Sequence, residues 1–271
     1  MIVSSTLHNH CNICDGRCSP EEMIAGAVAA GFTDFGLSCH SHAPFDLSCC
    51  LPDEAAYLRR LQELQAACQG RINLVRGTEQ DYFAPAAQPA AYDYIIGSVH
   101  YFRDKQGGYH GVDGSPQELR QTLEQVFDND VWAMVADYYA NVTAMVQEQR
   151  PDIIGHFDLI KMNNGGNRFF DESDPRYREL ALTALTKAAA GGAIFEVNTA
   201  PLFKGLSVGP YPSAFLLQEL IRLKAPLMIN ADAHSTAQLT CGLEETARGL
   251  KELGCPELTL WQNGGFTKVK L

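Results

Sequence analysis

Two segments near opposite ends of the chain set histidines and acids two residues apart. Ile2-Val3-Ser4-Ser5-Thr6, a β-prone lead, runs into His8-Asn9-His10, with Asp15 just beyond. Pro226-Leu227-Met228-Ile229-Asn230, an apolar run, ends in Asp232-Ala233-His234. Alternate side chains of an extended segment share a face and rise about 3.3 Å per residue. His8 and His10 therefore point the same way, as do Asp232 and His234. Imidazoles and carboxylates paired like this at strand ends are the donors of a divalent metal site at one rim of a parallel barrel. His40, Glu79, His100 and His156 each follow a further β-prone run, so six of the eight histidines lie at strand ends.

The elements that must position these groups alternate along the chain. Ser19-Pro20-Glu21-Glu22 reads as a capping box opening a helix that stops at Gly31. Strands are expected over 32–38, 71–75, 92–99, 152–155, 193–197 and 226–230, besides the N-terminal lead. Helices are expected over 53–68, from Ser115-Pro116, over 130–149, from Asp174-Pro175 to Gly191, from Pro212-Ser213, and over 237–253. Leu258-Thr259-Leu260 reads as a possible edge strand. About seven strand–helix units with no linker or repeat argue for one α/β domain over 1–271, a parallel barrel with its chemistry at the C-terminal strand ends.

Composition bounds the function. The 271 residues are 46% hydrophobic and 20% charged, with a net charge of −11. An acidic chain lacks the broad basic footprint that nucleic acid requires, so no nucleic-acid partner is expected. The N-terminus shows no basic region followed by an apolar stretch, and no run reaches membrane-spanning length; a cytoplasmic protein without membrane contact is expected. Nine cysteines, six of them in the first fifty residues, read as reduced thiols, with oxidation sensitivity expected near the metals. Cys11-x-x-Cys14 finds no second pair to complete a structural zinc site.

The segments LHNHCNICDG, LSCHSHAPF, GTEQDYF, IIGSVHYF, IIGHFDLIK, FEVNTA, PYPSA and INADAHS occur in this order over nearly the whole chain. In them the sequence resembles the PHP (polymerase and histidinol phosphatase) superfamily, and specifically its monofunctional histidinol-phosphate phosphatases. The resemblance implies a distorted (β/α)7 TIM-like barrel holding up to three divalent metal ions. It implies one ion on His8, His10, Glu79 and Asp232, and a second sharing Glu79 and adding His100 and His156. A third falls to Asp15, His40 and His234, with Asp15 standing where some relatives carry histidine. Such mixed donors suit zinc, manganese or iron. The implied reaction is hydrolysis of L-histidinol phosphate to L-histidinol and phosphate, a step of histidine biosynthesis. Closely spaced metals lower the pKa of bound water from 15.7 toward about 7 and clamp the attacking and leaving oxygens. A metal-bridging hydroxide attacking phosphorus in line, without a phosphoenzyme, is the expected mechanism.

Around this set, Glu79 and Asp15 are expected to be catalytic, with His42 as a general acid or phosphate contact. Arg17, Lys161 and Lys204, on rim loops, and Asn198, ending a strand, are expected to hold phosphate, with Arg168 a weaker candidate. Glu196, two residues before Asn198, turns inward to orient a ligand histidine or form an ion pair. Ser98 is read as supporting His100, and Asp81 as attracting a substrate amine. His110 lies in the Gly-rich loop GGYHGVDG, which could cover the site. Tyr82, Phe83, Tyr101 and Phe102 either pack the substrate ring or fill the core. Three other readings compete. One is a related phosphoesterase acting on nucleotides or phosphotyrosine, or as an exonuclease. Another is a metal-dependent amidohydrolase, which would place a bridging lysine where this chain has Glu79. The last is a silent metal-binding module.

Overall fold

The computed structural model describes residues 3–206 and 209–271. In chain order these form β1 (Ser5–Thr6), α1 (Pro20–Ala30), β2 (Asp34–Leu37), α2 (Glu54–Cys68), β3 (Asn73–Asp81), β4 (Tyr94–Ser98) and the hairpin β5 (Tyr101–Arg103) and β6 (Tyr109–Gly111). Helices α3 (Pro116–Val126) and α4 (Val131–Gln149) precede β7 (Ile153–Ile154), α5 (Pro175–Ala189), β8 (Ile194–Asn198) and α6 (Ala200–Phe203). The chain finishes with α7 (Ala214–Leu223), β9 (Leu227–Asn230), α8 (Leu243–Glu252), β10 (Glu257–Gln262) and β11 (Gly265–Lys270).

Seven strands pair in the order β1-β2-β3-β4-β7-β8-β9, every neighbour parallel. The sheet curls into a nearly closed barrel. Its first and last strands meet at one rim, where the His10 amide donates to the Ala233 carbonyl at 2.8 Å. β3 pairs with β2 through its first half and with β4 through its second. That stagger is the shear that lets a tilted sheet close.

Along each strand the inward face changes character. Leu7, Val75, Tyr94, Ile96, Ile153, Ile194, Met228 and Trp261 form an apolar cluster in the lower barrel. Two or four residues further on, the same faces carry Glu79, Ser98, Glu196 and Asn230, all buried. The outward faces meet the helices in the main core. Tyr94 ties the two layers together. Its ring lies over Gly36 and Gly77, where a Cβ would overlap it. Its hydroxyl donates to the Leu7 carbonyl, one residue before His8.

Helix starts follow their caps. Ser19 and Ser115 form complete capping boxes, and Asp53, Asp130 and Asp174 accept amide hydrogens of the first turn. Four expectations change. β3 begins and ends later than 71–75 and carries Glu79 inside the strand, because its pairing with β4 continues to Asp81. The last helix begins at Leu243, since Gly242, at φ 72°, separates it from a short 3-10 turn at Thr236–Gln238. The C-terminal edge strand is a hairpin instead. Asn263-Gly264, both at positive φ, turn β10 into β11, and the Trp261 amide donates to Ser5 Oγ beneath the barrel. β1 is limited to Ser5–Thr6, and Ile2 of the expected lead lies outside the described residues.

Gly77→Ala should force the Tyr94 ring from its seat and cost about 3 kcal/mol by urea unfolding, as overpacked cores do. Gly249→Ala, in α8 with nothing near its would-be Cβ, should leave stability unchanged or raise it.

Candidate metal centre

The donors converge at the C-terminal rim. His8 and His10 follow β1, His40 follows β2, His100 follows β4, His156 follows β7, and Asp232 and His234 follow β9. Glu79 lies among them. Its Oε2 is 2.9 Å from His40 Nδ1, 3.2 Å from His8 Nε2 and 3.4 Å from His10 Nε2. Its Oε1 is 2.8 Å from His156 Nε2 and 3.2 Å from His100 Nε2. Asp232 Oδ1 stands 3.3 Å from His10 Nε2 and 3.6 Å from His8 Nε2. Asp15 completes the rim, 3.1 Å from His234 Nε2, 3.7 Å from His40 Nε2 and 3.5 Å from His10 Nδ1.

These separations suit metal ions. Nitrogen and oxygen donors bound tetrahedrally at about 2.0–2.1 Å lie roughly 3.3 Å from one another. Among the described residues, four groupings bring their donor atoms within 4.8 Å of one another: His10-Asp15-His40-His234, His8-Glu79-His156, His8-His10-Asp232 and His40-Glu79-His100. His8 Nε2, His10 Nε2 and Glu79 Oε2 are buried yet make no hydrogen bond. Such atoms are costly unless something fills the space they face. All nine expected ligands are thus brought together. His40 differs from the expected partition, since it faces both Glu79 and Asp15.

A second layer holds the ligands in place. Glu196 Oε1 accepts from His8 Nδ1 at 2.7 Å and from Asn230 Nδ2 at 3.0 Å, while Oε2 accepts from the His156 amide at 2.9 Å. With Nδ1 donating there, His8 presents Nε2 to the centre. Glu196 thus fixes the His8 ring and pairs with it, a geometry that serves both of its expected roles. Asp81 Oδ2 accepts from the His100 amide at 2.9 Å and lies 3.4 Å from Nδ1 of the same ring. Ser98 Oγ donates to Glu79 Oε1 at 2.7 Å, so it supports the Glu79 carboxylate and not His100.

Other expected contacts are placed differently. Asn198 Nδ2 donates to Asp232 Oδ2 and Glu196 Oε2, both at 3.0 Å, which makes it a support for a ligand and leaves no amide hydrogen facing phosphate. Lys161 is fully buried. Its ammonium donates to the Pro210 carbonyl and Ser213 Oγ and pairs with Asp158 at 3.4 Å, so it braces the loop after β8 and is not offered to phosphate. His42 Nδ1 sits 2.7 Å from the Leu51 carbonyl, outside the donor groupings. Arg17 and Lys204 are exposed on the rim loops, and the Arg17 amide donates to the His234 carbonyl at 2.7 Å. Arg168 is exposed as well. Asn230 escaped the sequence reading, although its position two residues before Asp232 puts it on the inward face.

Beside the donors opens a cavity of about 440 Å³, walled by Asp15, His40 and His100 on one side. Phe45, Tyr101 and Tyr109 form its aromatic wall, with Phe45 and Tyr109 stacked at 3.9 Å. Asp46, Asp113 and Glu118 also line it, and no lysine or arginine does. The β5–β6 hairpin supplies Tyr101, Tyr109 and His110, the last paired with Asp104 at 2.9 Å. Of the four aromatics read as packing the substrate ring or filling the core, Tyr101 alone lines this cavity, and Phe102 is core.

The ionisable groups shift together. Burial disfavours charge on His8, His40 and His100, but Glu196 and Asp232 beside His8, Glu79 beside all three and Asp15 beside His40 outweigh it and raise each well above 6.5. Burial and the His40 charge oppose protonation of His10, yet the nearby Asp232 carboxylate and Cys14 thiol raise it to about 9. Burial likewise works against charge on Glu79, Asp232 and Asp15, and the imidazoles hold all three low. Without metal, protons on the imidazoles balance the carboxylates. Because His10 is raised, its contribution to stability is complete below about pH 6.5 and fades as pH rises through about 9. The melting temperature of metal-free protein should therefore fall over that window, while zinc-loaded protein should not follow it. Zinc binding at pH 7 should release protons, read as a dependence of calorimetric heat on buffer ionisation enthalpy.

The sequence matches the PHP domain family model over residues 6–200. A Schizosaccharomyces pombe protein named "Probable histidinol-phosphatase" is 25% identical over 97% of this chain and 90% of its own length. A Deinococcus radiodurans protein of the same name is 27% identical over 91% of this chain and 92% of its own. Among solved structures, histidinol phosphate phosphatase from Lactococcus lactis, complexed with zinc, L-histidinol and phosphate, superposes with a TM-score of 0.67. It covers 98% of this chain and 99% of its own at 17% identity. A family match across most of the barrel, on a chain whose donors converge at one rim, settles the affiliation: the chain belongs to the PHP domain family.

Proposed function

We propose that this protein is a metal-dependent phosphomonoesterase that hydrolyses L-histidinol phosphate to L-histidinol and phosphate in histidine biosynthesis. The observation that carries the reading is the cluster of buried, unpartnered donor atoms on His8, His10 and Glu79, grouped with Asp15, His40 and His100, which line an acidic and aromatic cavity. Histidinol phosphate combines a cationic amine, an aromatic ring and a phosphomonoester; the acids of the cavity suit the amine, its aromatic wall the ring, and the adjoining donor cluster, once it holds metal, the phosphomonoester. Two relatives carry the histidinol-phosphatase name, and a structural neighbour holds zinc, L-histidinol and phosphate.

The donors suit up to three zinc, manganese or iron ions, which acidify water and offset charge on phosphoryl oxygens when bound. His8, His10, Glu79 and Asp232 would hold one ion, Glu79, His100 and His156 a second, and Asp15, His40 and His234 a third. The chain's own part is positioning. Glu196, Asp81, Asn198 and Ser98 fix the ligands, so little reorganisation is needed as charge develops. Asp15 carries the cluster's donor set to the cavity wall. Arg17 and Lys204 approach phosphate from the rim loops. Asp46 Oδ2, bonded to the Tyr101 hydroxyl at 2.9 Å, faces the substrate amine. The whole of 1–271 acts as one domain. With nine free cysteines, a reducing cytoplasm is its proposed setting.

Other small phosphoesters, such as nucleotides or phosphotyrosine, are the second reading. A cavity wall of acids without lysine or arginine disfavours polyanionic nucleotides. Purified zinc- or manganese-loaded protein should prefer histidinol phosphate over AMP and phosphotyrosine by at least about 100-fold in kcat/KM; equal rates would remove the substrate assignment. Glu79→Ala should lower turnover by about 1000-fold and bound metal by at least one equivalent, with circular dichroism unchanged. Asp46→Asn should raise KM for histidinol phosphate about tenfold while leaving kcat/KM for phenyl phosphate, which lacks an amine, unaltered.

A further inference from the structure

The cavity wall holds a pair of thiols that the metal chemistry does not use. Cys49 and Cys50 are adjacent in the chain, their sulfurs lie 3.5 Å apart, and both line the cavity. Cys49 is half-buried and Cys50 buried. Cys49 Sγ is also 3.5 Å from the hydroxyl of Tyr101, which in turn bonds Asp46. The Tyr101 hydrogen goes to Asp46, so the Cys50 thiol is the donor that faces the accessible Cys49 sulfur and favours its thiolate.

We propose that Cys49, supported by Cys50, is a modification site that captures small cationic disulfides and thereby closes the cavity to substrate. Neighbouring residues dictate the charge of the reagent. Asp46, Asp113 and Glu118 line the same space, so an aminodisulfide is drawn in and an anionic one repelled. Its ammonium group takes the place assigned above to the substrate amine, and to that extent the consequence for turnover rests on the proposed function.

The chemistry balances without a further oxidant. The Cys49 thiolate attacks one sulfur of the disulfide; that S–S bond breaks as the Cys49 S–S bond forms. The other half leaves as a thiolate and is protonated, so the small disulfide is reduced as Cys49 is oxidised. Hydrogen bonding from Cys50 outweighs burial and brings the Cys49 thiol down to about 7, while Cys50 itself is held protonated. Closure of a Cys49–Cys50 disulfide is disfavoured. Adjacent Cα atoms lie about 3.8 Å apart, short of the 4.4–6.8 Å that ordinary disulfides span, so the mixed disulfide persists until an external thiol removes it.

The test treats full-length, metal-loaded protein with cystamine or oxidised glutathione and locates the adduct by intact mass and peptide mapping, a readout that stands whatever the enzyme's substrate. One cysteamine per chain should appear on Cys49, at least tenfold faster with cystamine than with oxidised glutathione. Turnover of histidinol phosphate should fall at least tenfold and return with dithiothreitol. Cys50→Ala should slow capture about tenfold without moving its position, and Cys49→Ser should abolish it. First modification at Cys14, Cys18 or Cys241 overturns the proposal, as do equal rates with the two disulfides or an unslowed Cys50→Ala. An adduct on Cys49 that leaves measurable turnover unchanged overturns the closure. Absence of any histidinol-phosphate turnover before treatment counts against the proposed function alone.

Discussion

A carboxylate with almost no access to water sits among five imidazoles, and the rest of the rim is arranged around that fact. Glu79 is 1% exposed, and its two oxygens lie within 3.4 Å of ring nitrogens from His8, His10, His40, His100 and His156. Burial of an isolated carboxylate is prohibitive, and burial of several cationic rings is no better. The cluster exists only because the charges compensate, with protons in one state and metal ions in the other. Ser98 satisfies one Glu79 oxygen, while the other faces the shared donor space without a hydrogen bond.

The barrel makes this tolerable by dividing its interior into layers. Apolar side chains fill the lower part, where Tyr94 occupies the volume left by Gly36 and Gly77 and Trp261 packs beneath it. Above them, Glu196 and Asn230 form a fully hydrogen-bonded polar floor. The ligand atoms lie on that floor, close enough to solvent to admit substrate. Rigidity comes from below and access from above.

Specificity is built from different material. The cavity wall comes from loops and from the β5–β6 hairpin, which inserts Tyr101, Tyr109 and His110 between barrel strands. Loops of this kind change shape without disturbing the ligand layer, which is how one metal platform serves different phosphoesters. Acidic groups line the wall, while Arg17 and Lys204 are exposed on the rim loops.

Much of this was legible in the linear chain. Helix starts followed from Ser19, Asp53, Ser115, Asp130 and Asp174, because caps act locally. Eight of the donors were legible as groups at strand ends, with period-two alternation pairing His8 with His10 and Asp232 with His234; Asp15 as a ninth came only from the family resemblance. What the chain order left open was partnership. Ser98 serves Glu79, Asn198 serves Asp232 and Asp81 serves His100, since barrel shear sets the relative height of adjacent strands and no local signal encodes it. Lys161 resembled a phosphate contact until Asp158, Pro210 and Ser213 were seen to enclose it. Leu258-Thr259-Leu260 read as an edge strand, and only the pairing of β10 with β11 and the Trp261 contact with Ser5 showed a hairpin beneath the barrel. Residue type and spacing determined which groups face inward; long-range strand register decided which of them meet, because that register is fixed by packing between segments up to more than two hundred residues apart.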